Sequence, residues 1–537
     1  MYDNHNTETS PLVPSIHRPK RLCQPAFQLE RIVKDIQKER VASVDVDSGE
    51  AGEGLAKGSI TMSGVLFVSI ATMAPGAGAA YAIMSGAPFA GGSLPLAVVV
   101  ALVGCVLVAV AIGQMAKHMS SAAGIASYVG KAIHSGFGFV VAWAYPFVYL
   151  CAVPYLCLVF GNLLAGAIIP SGEGSAFTAI WVIGTIACLA GAFAMNFFGA
   201  SFGARLGLIL GLSEIIVFVV LAIWMIVSAG DRNTLSVFTP EYATAPSFEG
   251  MGGVFAASIY GFLAFIGFEA AASLAAETKN PKRNVPLAVV GAALIVGLFF
   301  VLTTYALTVF FGPNNTLDFL AYDNGNGWIG ISKDLWNVGW IVLLITILNS
   351  CLACANGGAM AATRAVWAMG HNGTIPHLFA KTHRRWRSPV NAIYLVFGLA
   401  AVFTLIVASI WGVVTGYILF GVVLTIAVLP IYFVAAIACP IYYLRFRRHE
   451  FNILLHLIIP VLGAAFLIPA FCAGAGIPVF SFVAPLSAPY NLAGPIVAIW
   501  YGIGIVVMIY LMRKKRASLD SLALANVGDD LDAVPPT

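Results

Sequence analysis

The sequence predicts an all-α integral membrane protein, and three observations carry that prediction. Of its 537 residues 60% are hydrophobic and 10% charged, against about 25% charged in ordinary soluble domains. Nearly everything between Met62 and Met512 divides into apolar stretches of the roughly 20 residues that cross a hydrocarbon core. Lys and Arg sort onto alternate connections, the mark of positive cytosolic loops. Open strands are excluded because each unpaired backbone group in lipid costs several kcal/mol, and a barrel would show short alternating segments.

Twelve spans are expected, at 62–84, 92–113, 137–168, 176–197, 204–229, 252–275, 286–311, 336–367, 389–411, 414–440, 453–474 and 493–512. With the N-terminus inside, Arg232 and Lys333 are the only two of the 28 Lys and Arg residues that fall outside, so a miscounted span would scramble the sorting. Both termini are therefore expected in the cytosol and the chain in the cell membrane. The division is a tail at 1–58, a transporter domain at 59–512 and a second tail at 513–537. Within the domain, 59–229 and 252–444 read as two repeats, followed by helices eleven and twelve at 453–512.

The net charge of +4 describes an inner-leaflet face rather than a nucleic-acid surface, and no nucleic-acid partner is expected. Eight of the nine cysteines lie inside spans, with Cys23 in the tail, so no disulfide framework follows. Cys351 and Cys354 form a CxxC pair without a second pair or a histidine nearby, which reads as a packing face rather than a metal site. Neither cofactor nor metal is expected. In the tail, Leu29, Ile32, Val33 and Ile36 beside Arg31, Lys34, Lys38 and Arg40 suit a short helix on anionic lipid, or a solvated disordered segment. Residues 517–537 read as an acidic disordered tail.

The first and sixth spans carry the informative irregularities. Ala74-Pro75-Gly76-Ala77-Gly78 interrupts the first: Pro removes a donor and clashes with the preceding turn, and Gly tolerates unwound backbone. Gly261 and Gly267 bracket Phe262, Leu263 and Phe265 in the sixth. Interruptions five spans apart point to an inverted-repeat transporter, whose broken helices aim N–H groups at a carboxylate and carbonyls at an ammonium or cation. Taken alone, Pro75 is equally a simple kink.

From Gly267 the chain reads Gly-Phe-Glu-Ala-Ala-Ala-Ser-Leu-Ala-Ala-Glu-Thr-Lys-Asn-Pro-Lys-Arg-Asn-Val-Pro. This run resembles the amino acid, polyamine and organocation (APC) superfamily of permeases, through Gly267, Phe268, Glu269, Glu277, Lys279, Asn280, Pro281, Arg283 and Pro286. The stretch from Asn356 to Pro376 resembles the segment after that family's eighth helix, with His371-Asn372 in place of the usual Arg-Asp. The resemblance spans roughly residues 60–512. It implies a five-plus-five inverted repeat with broken helices one and six, two added helices, a central site and alternating-access transport of amino acids or amines. It also implies that Ala74 to Gly78 supply carboxylate-binding amides and that Leu263 stands where members often carry a gating aromatic, so that either Phe262 or Phe265 substitutes or the occluded state is looser.

Glu214 and Glu269 are the ionisable side chains placed well inside spans, where a charge costs about 2.5–3.5 kcal/mol on insertion scales and must face protein or be protonated. Gly203, Gly207 and Gly211 form a close-packing stripe that puts Glu214 on a protein-facing side. Glu214 is read as a proton carrier, a cation ligand with Asn349 and Ser350, or a structural polar group. Glu269, cytosolic of the break, is read as structural or, by the resemblance, as a proton-sensing or gating group. Gly199-Ala200-Ser201-Phe202-Gly203 matches GxSxG but lacks the strand-to-helix turn, histidine and acid of a hydrolase, and no ATP-binding motif accompanies the spans. The function expected is import of a neutral amino acid by proton symport. The alternatives are an exchanger of cationic amino acids or polyamines, and a transport-inactive nutrient sensor.

Overall fold

Apolar runs of this length leave the backbone one way to satisfy itself in lipid, and the chain folds as long helices. The computed structural model describes residues 60–119, 124–169, 172–198, 200–371, 373–386, 388–480 and 485–516. The readings made on Leu29–Ile36, Gly199, Asn372 and the segment past Arg516 lie outside them.

The long helices are α1 (Met62–Thr72), α2 (Leu94–Ala116), α3 (Ser135–Ile168), α4 (Gly174–Phe198), α5 (Ala200–Ala229), α6 (Met251–Phe265), α7 (Pro281–Phe311), α8 (Trp340–His371), α9 (Val390–Phe446), α10 (Ile459–Ala475) and α11 (Ala493–Lys514). Among the described residues ten stretches are long and apolar enough to cross a membrane. Two of them, Met62–Ala116 and Val390–Phe446, run to 55 and 57 residues, well beyond the roughly 20 of one crossing. The first is broken at Ala74 and again at Gly91; the second is broken at Gly412, whose φ of 80° and ψ of 173° are not helical. Gly412 falls between the stretches expected at 389–411 and 414–440.

Helix α3 is the spine. It is buried along most of its length and packs against α4, α8 and α9, while α2 packs against α6, α7 and α10. Its start is fixed by His134, whose Nδ1 accepts from the Gly136 N–H at 3.0 Å, satisfying one of the orphan donors of a first turn. In hydrocarbon no hydrophobic force draws helices together, so small residues that permit close backbone approach matter more. Gly261 shows this: a Cβ there would lie 2.8 Å from the Ala101 side chain, so its glycine character serves the contact between α6 and α2. Helices α4 and α11 turn Ile183, Ile186, Ile499 and Val506 outward, as lipid-facing helices do. The strands of the described residues are a two-residue pair, Thr244–Ala245 with Phe248–Glu249.

Candidate functional site

The site begins where α1 fails. Pro75 has no N–H and cannot extend the helix, and Ala74 takes a left-handed conformation, φ 47° and ψ 67°, which a non-glycine residue adopts at a cost of the order of 1–3 kcal/mol. The chain then passes through a helical turn at Pro75–Ala77 and a wide turn at Gly78–Ala82. The Gly76 N–H donates to Glu214 Oε2 at 3.3 Å and the Ala77 N–H to Ser350 Oγ at 3.1 Å. The Asn349 side-chain amide donates to Glu214 Oε1 at 2.9 Å. Glu214 is 2% exposed. One buried carboxylate therefore joins the break in the first helix to α5, on which it sits, and to α8.

The sixth helix stops at Phe265, and Gly267 continues at φ 118°. Only glycine takes that conformation freely, and a Cβ there would also lie 2.8 Å from the Thr72 carbonyl carbon and 3.0 Å from the Met73 nitrogen. The two breaks thus touch through backbone. The Gly267 N–H donates to Glu269 Oε2 at 3.1 Å, and the Tyr432 hydroxyl of α9 donates to the same oxygen at 2.8 Å. Glu269 is buried, its Oε1 has no hydrogen-bond partner among the described residues, and the phenols of Tyr145 and Tyr149 on α3 stand beside the carboxylate. The short helix that follows, Ala270–Ser273, is tied back to α1 by a bond from the Ala271 N–H to Ser69 Oγ at 3.0 Å.

Between the breaks lies a cavity of about 40 Å³, room for about one water and too small for an amino acid. Its wall includes Ala74, Ala77, Gly78, Leu263, Tyr149, Tyr155 and Cys354, and contains no Lys, Arg, His, Asp or Glu. A second cavity of about 410 Å³ includes Tyr81 and Tyr417 in its wall. The Tyr417 ring meets Tyr81 edge-on at 5.9 Å and Tyr155 at 6.3 Å, so three phenols from three segments stand between the two spaces.

The family model for amino acid permeases matches residues 64–519. This chain belongs to the amino acid permease family. The permease is 25% identical over 314 residues, 58% of its own length, to the low-affinity putrescine importer of Escherichia coli K12, of which the match spans 66%. It is 29% identical over 339 residues to a probable amino-acid permease of Schizosaccharomyces pombe, spanning 60% of this chain and 55% of that one. A branched-chain amino acid permease of Lactococcus lactis is 25% identical over 329 residues, spanning 59% and 69%. The chain thus spans just under two thirds of the importer and about half of the yeast permease. A manganese transporter of Eremococcus coleocola superposes with a TM-score of 0.51 at 11% identity, covering 88% of this chain and 98% of that one; this likeness concerns the fold alone. The permease is a transporter-family protein and not an enzyme, and Ser201 of the GxSxG match is in helix α5.

The sequence candidates separate into two groups in the permease. Ala74, Ala77, Gly78 and Leu263 line the small cavity, while Gly76, Glu214, Asn349 and Ser350 form the polar cluster behind the first break. Pro75 is buried within the break itself. Phe262 packs where a Cβ on Gly104 would lie 3.1 Å from its ring, and Phe265 meets Phe300 edge-on at 5.6 Å. Both rings are spent in helix contacts, and neither lies in the wall beside Leu263. Sequence reasoning passed over Tyr81, Tyr149, Tyr155, Tyr417 and Tyr432, and read Cys354 only as part of a packing face. The available signal was the hydroxyl itself, since a phenol deep in a hydrocarbon-length helix needs a partner.

Proposed function

We propose that this permease is a secondary active transporter that imports an amino acid or amine by proton symport, Glu214 carrying the proton. The single observation that carries the reading is the bond from the Gly76 N–H to a buried carboxylate on another helix. An ionised carboxylate accepts strongly from an amide, and hydrogen bonds to charged groups are worth about 1.5–3 kcal/mol against about 1 for neutral ones. Protonation weakens the hold of α5 and α8 on the break, so proton occupancy and the position of the first helix are linked, and by reciprocity helix movement changes proton affinity. Asn349 and Ser350 complete the joint.

The reading includes twelve crossings, with Met62–Ala116 and Val390–Phe446 each counted twice across their breaks, two five-helix repeats, and both termini in the cytosol of a cell bounded by the membrane. In that orientation the larger cavity opens outward, the three phenols form a lid over the small cavity, and alternating access consists of opening one side of the central site at a time. Ala74, Ala77, Gly78 and Leu263 form the cargo wall, and Glu269 sets the shape of the second break. The absence of a basic side chain from that wall disfavours cargo with an extra negative charge. A proton crossing about 100 mV supplies about 2.3 kcal/mol, enough for roughly a 50-fold gradient.

Glu214→Gln tests the reading. In proteoliposomes the variant is expected to bind cargo, seen as thermal stabilisation, and to lose accumulation driven by an inward acid gradient. Acid-driven accumulation equal to that of the parent chain rules Glu214 out as the carrier. The putrescine importer and the branched-chain permease among the relatives represent two charge classes of cargo, amines without a carboxylate and zwitterions. A neutral amino acid is the class the sequence favours, and the amine class has a specific structural observation behind it.

A further inference from the structure

A site that receives a carboxylate on a broken helix must have N–H groups to give. In this permease they are already given. The Met73 N–H donates to the Ser69 carbonyl at 3.2 Å, the Ala74 N–H to the Ala71 carbonyl at 3.2 Å, and Pro75 has none. The Gly76 and Ala77 N–H groups go to Glu214 and Ser350, and the Gly78 N–H closes on the Ala74 carbonyl at 2.7 Å. The second break repeats the pattern. The Ile266 N–H donates to the Leu263 carbonyl at 3.2 Å, the Gly267 N–H to Glu269, and the Phe268 N–H to the Phe265 carbonyl at 3.4 Å. Each break therefore has its glycine amide satisfied by a carboxylate of the protein's own.

The remaining charge in the region has one sign. No basic side chain lines the cavity, and Tyr149 of its wall stands beside the buried carboxylate of Glu269. A cargo carboxylate entering here loses its water, meets no free amide and approaches two acids, a desolvation that nothing repays. A cargo ammonium loses its water and gains phenol oxygens and a nearby carboxylate. Resting on the transport reading above, we infer that the cargo of the central site is an organic amine that bears no free carboxylate. The two glutamates then divide the work: Glu214 lies outside the cavity wall and serves the first break, and Glu269 supplies the compensating charge behind Tyr149.

The test uses matched pairs that differ only in the carboxylate: 1,5-diaminopentane with lysine, 1,4-diaminobutane with ornithine, and 3-methylbutylamine with leucine. Each is offered to the purified full-length chain in a thermal-shift titration and to proteoliposomes as a competitor of uptake. The expected result is that in at least one pair the amine binds at least tenfold more tightly than its carboxylated partner. Equal or tighter binding of the carboxylated member in every pair overturns the inference and leaves the transport reading standing. Binding and uptake of none of the six overturns both. Ser350→Ala frees the Ala77 N–H, and because one hydrogen bond to a charged group is gained it should move the ratio about tenfold toward the carboxylated member. Ser350→Thr keeps the hydroxyl and should shift the ratio back toward the parent value, and Ile499→Ala on the lipid-facing side of α11 serves as the folding control. An unmoved ratio in a folded Ser350→Ala chain overturns the claim that filled amides set the preference.

Discussion

The two interrupted helices meet the same backbone problem with acids at very different distances along the chain. At the second break the Gly267 N–H is taken by Glu269, two residues on. At the first the Gly76 N–H is taken by Glu214, 138 residues on and in another helix. A carboxylate two residues away travels with the break it satisfies and makes a fixed corner. One on another helix holds the break against the rest of the bundle, and anything that weakens it releases a joint. The comparison explains why two acids of similar burial are suited to different work: Glu269 shapes its own segment and reaches α9 through Tyr432, whereas Glu214 ties α1 to α5 and α8.

Adding one methyl group to each glycine breaks the comparison most severely. Gly267→Ala forces a residue with a Cβ to φ 118° and drives that Cβ into the Thr72–Met73 backbone. Strain of about 1–3 kcal/mol and overpacking of about 1–3 kcal/mol together put the expected loss at about 2–6 kcal/mol, read as little monodisperse protein after purification. At Gly76 the same Cβ meets side chains, 3.3 Å from Ser350 and 3.4 Å from Glu214 Oε2, which can give way. Gly76→Ala is expected to fold, at a cost of about 1 kcal/mol, and to lose roughly tenfold in uptake because the joint no longer closes. A well-folded Gly267→Ala chain would show that the second break is not a fixed corner.

Glu269→Gln sharpens the same contrast at a smaller amplitude. The amide oxygen has two lone pairs and can keep both donors now on Oε2, so what is lost is the charge that strengthens those bonds and faces the cargo, worth about 1 kcal/mol per bond. Uptake is expected to fall by a similar factor at every pH while its slope against pH survives. Glu214→Gln flattens that slope. A flattened slope in both variants would erase the distinction between corner and joint.

How much of this was legible depended on whether the cause was local. The first break was announced by Pro75 between small residues, because a missing N–H is a property of one position. The break at Gly412 falls in the gap between two expected stretches, and its cause is also local, a φ of 80° that glycine takes freely. Glu214, Asn349 and Ser350 were singled out because polar groups in hydrocarbon are costly wherever they sit, yet their partnership with the Gly76 and Ala77 amides depends on the packing of three helices. That packing also redirected the expectation for Ala74 to Gly78: composition shows that amides are released by the break, and only the fold shows that the protein itself takes them up. Phe262 and Phe265 illustrate the converse. Their type suited a gate, but the side of α6 they occupy faces α2 and α7, so the aromatic layer is built from phenols on other segments, spread between residues 81 and 417.

The smallest expected effect comes from Cys354, whose thiol donates to the Thr72 carbonyl at 3.1 Å. Thr72 is the last residue of α1, so this bond supports the first break from α8, the same helix that supplies Asn349 and Ser350. A thiol is a weak donor, and deleting it by Cys354→Ala should cost about 0.5–1 kcal/mol of the joint, which converts to less than about fivefold in uptake. The pH slope should be untouched, because Glu214 and its donors remain. Uptake and its pH profile, measured beside Gly76→Ala, decide the point: a loss as deep as that of Gly76→Ala would mean that the joint is held mainly at its helical end, by the Thr72 carbonyl, rather than at the glycine amide.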